Sequence, residues 1–134
     1  MDINKQEAEA LYIKFIHSFN EGATKIVECF DQDAIIEYPY SNSEATRKQN
    51  KDQYFHQLTD VLKKMGPFTF QSFVVYGTDT PGTYWATMDV ECHVPVTGKT
   101  FRQNYVQRFT VNEKLKFTHY IEYFNPLKSK EAFS

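Results

Sequence analysis

The run TYWATMDVECHVPV, residues 83–96, alternates between two kinds of side chain along its whole length. Tyr84, Ala86, Met88, Val90, Cys92, Val94 and Val96 form an apolar set. Thr83, Trp85, Thr87, Asp89, Glu91, His93 and Pro95 form a mostly polar one. A period of two is strand geometry, so the run reads as one strand with its apolar face on a core. Gly98-Lys99 breaks the pattern, a second strand follows over 100–111, Asn112-Glu113 breaks it again, and a third covers 115–124. On the other side, Gly77 to Gly82 with Pro81 separates the run from a strand over 68–77. Turn residues at hairpin spacing predict four strands in an antiparallel meander.

The chain before the meander changes period. Ala8, Leu11, Tyr12, Phe15, Ile16 and Phe19 make a helical stripe over 3–19, which Gly22 closes. A short helix near Thr24 carries Ile26, Val27 and Phe30, and Ala34 to Tyr40 reads as a strand ended by Pro39. Residues 41–51 are polar and read as a loop. Asp52 to Met65 is helical again until Gly66-Pro67 stops it, and 126–133 reads as a last short helix capped by Asn125 with Pro126 in its first turn. Helices followed by a long meander predict one α+β domain over 1–134, whose twisted sheet curls around a cavity.

The 134 residues suffice for one core without staples. Twelve Phe, nine Tyr and one Trp supply that core, material that suits an aromatic-walled pocket for a small hydrophobic organic molecule as well as a solid interior. The net charge of −2 is dispersed and no Lys/Arg block is present, which argues against nucleic acid. No run approaches the roughly 20 apolar residues of a membrane span. The N-terminus lacks the pattern of a secretory leader, and Cys29 and Cys92 read as buried free thiols, so a cytoplasmic protein is expected. A Gly-x-Ser-x-Gly elbow, a phosphate loop and metal-ligand spacing of His and Cys are all absent, which argues against those chemistries.

The strand over 100–111 puts Phe101, Gln103, Tyr105, Gln107 and Phe109 on one face, so two amides go inward with the rings. Either a polar pocket wall or ordinary buried hydrogen bonds would satisfy them. In the last strand Tyr120, Glu122 and Phe124 share one side, and His119, Ile121 and Tyr123 the other. Both sides are aromatic, so the pattern does not choose between them. Should Glu122 face inward, desolvation raises its pKa toward the range useful for proton transfer. Trp85 among charges on the outer sheet face marks a partner contact, and a homodimer through that face is expected.

Phe30-Asp-Gln-Asp-Ala-Ile-Ile-Glu-Tyr-Pro39 before the meander and Ile121-Glu-Tyr-Phe-Asn-Pro126 at its end resemble the SnoaL-like proteins. These belong to the nuclear transport factor 2-like superfamily, with ketosteroid isomerase and the polyketide cyclases. Tyr84-Trp85, Met88-Asp89 and Phe101 to Phe109 are similar in order and spacing to the phenazine-biosynthesis A/B proteins. The resemblance implies a cystatin-like cone, usually dimeric, with acid–base side chains inside and neither metal nor organic cofactor. It makes Glu122 the pocket acid/base and places Asp33 near the mouth, with Gln103 and Tyr105 on the inward side. The phenazine proteins carry Gly-His at the start of the third helix. Here that place reads Asn50-Lys51, and His56 follows later.

The resulting candidates are Glu122, Asp33 and His56 as acid–base groups, and Tyr38, Tyr54, Met88, Gln103, Tyr105 and Tyr120 as a substrate wall. Three functions fit: a cofactor-free isomerase, cyclase or dehydratase acting on a hydrophobic carbonyl compound; a non-catalytic small-molecule binder; or an interaction module using the Trp85 face.

Overall fold

Helix α1, Lys5–His17, begins where Asn4 and Glu7 close a capping box, each side chain bonding the other's backbone N–H. The computed structural model describes residues 4–134. Residues 1–3, with which the predicted stripe and the leader reading begin, lie outside them. A 3₁₀ turn over Ser18–Asn20 extends the helix, so Gly22 does not close α1. It instead precedes α2, Ala23–Val27, at φ 120°, a value glycine tolerates best.

Strand β1, Phe30–Glu37, starts earlier and ends earlier than the pattern predicts, leaving Tyr38 just beyond it. The predicted loop holds a single helical turn, α3 (Glu44–Arg47), and a two-residue strand, β2 (Lys48–Gln49), that pairs with the end of β1. Asn50 and Gln53 form a second capping box at the head of α4, Lys51–Lys64. The meander is β3 (Phe68–Gly77), β4 (Thr83–Val94), β5 (Lys99–Val111) and β6 (Phe117–Tyr123), followed by α5 (Pro126–Ala132) with Asn125 as its cap. Strand β4 stops short of Val96 because a turn from Val94 to Gly98 takes over the backbone bonds, and Val96 is exposed.

The six strands form one sheet in the order β2-β1-β6-β5-β4-β3, antiparallel except where β1 lies parallel to β6. The predicted α+β class and its helices-on-sheet architecture hold. The apolar set of β4 is buried from Tyr84 to Val94, with α1 and α4 over the same side. Phe15 ties the layers together: its ring meets those of Phe19, Phe30, Phe117 and Tyr120 at 5.2–5.6 Å, mostly edge to face. Burying one such ring contributes about 1.5–3 kcal/mol. Asn20 closes one end by exchanging two 2.8 Å bonds with the backbone of Phe68, which pins the start of β3 to the turn after α1. No helix among the described residues is long and apolar enough to cross a membrane.

Candidate active site

Between the inner sheet face and the helices lies a cavity of about 390 Å³. Phe15 walls it from α1 and Phe19 from the turn that follows, Leu58 from α4 and Met65 from that helix's C-terminal cap, and Met88, Tyr105 and Tyr120 from the sheet. Ser129 and Phe133 flank it from α5 and the residue after it.

Glu122 faces this cavity. Period two puts it on the side of Tyr120, and Tyr120 is fully buried, which settles the choice the sequence left open. The Tyr120 hydroxyl donates to Glu122 Oε1 at 2.6 Å, and Gln107 Nε2 reaches the same oxygen at 3.4 Å. Gln107 stands opposite Glu122 in the β5–β6 register. Its Nε2 also donates to the Tyr120 hydroxyl at 3.2 Å, while its Oε1 accepts from the Tyr12 hydroxyl at 2.7 Å. Glu122 Oε2 has no hydrogen-bond partner among the described residues, and it is not sealed from the cavity.

Burial pushes the Glu122 carboxyl up from 4.5 to about 7, and the bonds from Tyr120 and Gln107 only partly offset this. The side chain is half-buried because the cavity itself opens onto it. Solvent entering there moderates the desolvation without removing it. Burial, followed by the charge on Glu122, also raises Tyr12, Tyr54, Tyr105 and Tyr120, and burial raises Tyr38. All five phenols therefore stay protonated at neutral pH and serve as hydrogen-bond donors.

Their protons are not equally free. Tyr120 is committed to Glu122, Tyr12 to Gln107, and Tyr38 to the Tyr54 hydroxyl at 3.0 Å. Tyr105 lines the cavity and makes no hydrogen bond with another described residue. It sits two residues from Gln107 on the same strand face, hence diagonally across from Glu122.

The sequence candidates divide. Glu122, Tyr38, Met88, Tyr105 and Tyr120 line one cavity. Tyr54 is buried behind Tyr38 and supports it through the hydroxyl pair. Gln103 does not line the cavity: its side chain exchanges bonds with the backbone of Asn125, 2.8 Å to the carbonyl and 3.3 Å from the N–H. It anchors the entry to α5.

Asp33 and His56 do not join the site. Asp33 is exposed on β1, where the pairing with β6 is irregular between Phe30 and Ile35, and it borders a separate surface groove of about 680 Å³. His56 lies about 200° around α4 from the buried Tyr54 and is exposed beside Asp52 at 3.7 Å. Gln107 and Tyr12 are the site residues that sequence reasoning passed over. Gln107 was legible as inward-facing, but its place opposite Glu122 depends on register. Tyr12 looked like one more member of a helical core stripe.

No family model matches the chain. YesE of Bacillus subtilis (strain 168), an uncharacterized protein, is 28% identical over 107 residues, 79% of this chain and 72% of its own. A Bacillus subtilis crystal structure provisionally named an isomerase superposes with a TM-score of 0.88 at 26% identity, covering 98% of this chain and 96% of the other. The fold is that of the nuclear transport factor 2-like superfamily. A Xanthomonas campestris protein provisionally named a polyketide cyclase shares that fold, with a TM-score of 0.80 at 16% identity and coverage of 98% and 100%. The SnoaL-like resemblance of the sequence agrees with these neighbours.

Proposed function

We propose that this chain is a cofactor-free acid–base enzyme, an isomerase, cyclase or dehydratase acting on a small hydrophobic carbonyl compound. The observation that carries the reading is Glu122: a carboxyl whose pKa burial raises to about 7 in an aromatic cavity, with one oxygen free of hydrogen bonds among the described residues. A group whose pKa lies near the working pH is suited to both taking and returning a proton. A volume of 390 Å³ falls at the small end of the range for ligand pockets, about 300–1,000 Å³.

In the proposed step, ionised Glu122 takes a proton from the carbon next to the substrate carbonyl. The C–H electron pair forms a carbon–carbon double bond, and the carbonyl pair moves onto oxygen. Tyr105, whose hydroxyl has no hydrogen-bond partner among the described residues, donates to that oxygen and stabilises the charge. Neutral Glu122 then returns the proton to the γ-carbon of a β,γ-unsaturated substrate, whose double bond moves into conjugation as the carbonyl re-forms, or to the departing hydroxyl of a β-hydroxy substrate, which leaves as water.

The outer sheet face supports a homodimer. Trp85 is half-buried there, its ring 6.2 Å from that of Tyr123, while Tyr76, Val74 and Val106 remain exposed around it. A second copy covering these side chains in a cytoplasmic dimer is part of the same proposal.

The test is steady-state turnover of small hydrophobic β,γ-unsaturated ketones and β-hydroxy ketones by wild type and Glu122→Gln, with ligand affinity measured in parallel. The expected result is a kcat loss of about 10²–10⁴-fold with affinity kept within a few fold. Undiminished turnover in the variant overturns the mechanism. Saturable binding of these compounds without product would make the chain a binding protein.

A further inference from the structure

Glu122 has two carboxylate oxygens, and the structure treats them differently. Oε1 receives Tyr120 at 2.6 Å and Gln107 at 3.4 Å, whereas Oε2 receives nothing from the described residues. What maintains this difference lies on the opposite layer, in α1. We infer that Tyr12 and Gln107 are positioning residues that hold the exchangeable proton of Glu122 on Oε2, the oxygen open to the cavity.

The argument rests on the polarity of a hydrogen-bond chain. Tyr12 is fully buried, and its hydroxyl donates to Gln107 Oε1 at 2.7 Å, its only hydrogen-bond partner among the described residues. An amide can present either end to a neighbour. Turned over, Gln107 would offer Nε2 to Tyr12 and Oε1 to Glu122. A neutral Glu122 could then donate from the oxygen that now accepts. The Tyr12 proton, however, would be left without an acceptor in a dry layer, which disfavours that arrangement by about ten- to a hundredfold. Gln107 therefore keeps its donor toward Tyr120 and Glu122 in both protonation states of the carboxyl. With two donors aimed at Oε1, a proton added to Glu122 resides on Oε2. The same atom then takes the substrate proton and returns it.

Other polar and titratable groups surround Glu122. Tyr38 follows β1, Tyr54 and Lys64 come from α4, Tyr105 from β5 and Tyr120 from β6. Tyr12 reaches it from α1 through Gln107 alone. Lys64 lies exposed at the rim of the cavity in the last turn of α4. Among these groups only Gln107 bonds to both Tyr12 and Glu122.

This inference deepens the acid–base reading of the site and rests on it, but its test does not need substrate. The Glu122 carboxyl is titrated by NMR in protein carrying ¹³C-labelled glutamate, in wild type, Tyr12→Phe and Gln107→Leu. Tyr12→Phe keeps the ring, which stacks on Phe109 at 5.6 Å and 9°, and removes only the hydroxyl. Gln107 is then free to turn over and accept from neutral Glu122, so the midpoint rises by about one pH unit. Gln107→Leu removes a donor outright and moves it in the same direction. With an identified substrate, kcat at pH 7 falls about fivefold in Tyr12→Phe with KM unchanged. A Tyr12→Phe midpoint equal to that of wild type overturns the inference. Tyr12→Phe decides alone should Gln107→Leu not fold. Undiminished turnover in Glu122→Gln would sink the enzyme reading and leave the titration result standing.

Discussion

Glu122 and Glu37 lie on the neighbouring strands β6 and β1 and face opposite sides of the same sheet. On the inner side Glu122 meets neutral donors only, Tyr120 and Gln107, and burial holds it near neutral pH. On the outer side Glu37 meets His119 Nε2 at 2.5 Å, with both side chains about a third exposed to water. Each carboxylate has a close partner, so contact distance does not separate them. The difference lies in what replaces water. The outer carboxylate stays in contact with water. One enclosed by phenyl and phenol rings shares its time between two protonation states, and that is what proton transfer requires.

The two inward glutamines of β5 repeat the lesson. Gln103 and Gln107 are both buried, four residues apart on one strand face. Gln103 closes its bonds on the backbone of Asn125 and holds α5 in place. Gln107 closes its bonds on side chains that titrate or donate into the cavity. Both readings of the buried amides were correct, one for each residue.

The strongest way to break the inner–outer contrast is the pH dependence of stability. Glu122 has a folded-state pKa above its unfolded value, and its neutral form is the one the fold prefers. Its contribution is therefore complete below about pH 4.5 and is lost as the pH rises through about 7. Glu122→Gln, which stays neutral, should be more stable than wild type at pH 8, by roughly 2 kcal/mol after discounting for solvent in the cavity. At pH 4.5 the two should be nearly equal. Urea unfolding at the two pH values checks this, and equal stability at both would place Glu122 in water.

A smaller effect is expected on the outer face. Trp85→Arg puts a charge at the centre of the proposed dimer contact and should weaken association about tenfold or more, read by sedimentation, while leaving the Glu122 titration midpoint where it is. An unchanged association constant would move the dimer contact elsewhere. The smallest effect falls to Gln103→Leu. It should cost about 1 kcal/mol of stability by releasing Asn125, again without moving the Glu122 midpoint. A shifted midpoint would make Gln103 part of the site after all.

Much of this was legible in the chain. Turn residues and a strict period of two mark out the meander to within two residues at most strand ends. Asn50 and Gln53 start α4 where a capping box belongs, although the helix was read one residue late. Glu122 stood out as a carboxylate among rings. Its direction did not, because His119, Ile121 and Tyr123 make the outer side of β6 nearly as aromatic as the inner one. Asp33 falls with Ile35 and Glu37 on the outer side of β1, opposite the buried Ala34 and Ile36, as period two along that strand requires. His56 is open to either the cavity or the helix surface by residue type, and the helical period that buries Tyr54 and Leu58 carries it to the surface.

The sequence by itself determined the class of the fold, the inner face of β4 and the residue types available for chemistry. Period, capping and turn formation are local properties, set by neighbours a few positions away. The tertiary structure alone decided that Gln107 stands opposite Glu122, that Tyr12 meets Gln107 across 95 positions, and that Tyr105 has no hydrogen-bond partner among the described residues. Those facts depend on the β5–β6 register, which shifts between Thr110 and Val111, and on where α1 comes to rest against the sheet. Hydrogen-bond polarity between distant residues follows from packing, and no pattern along the chain encodes it.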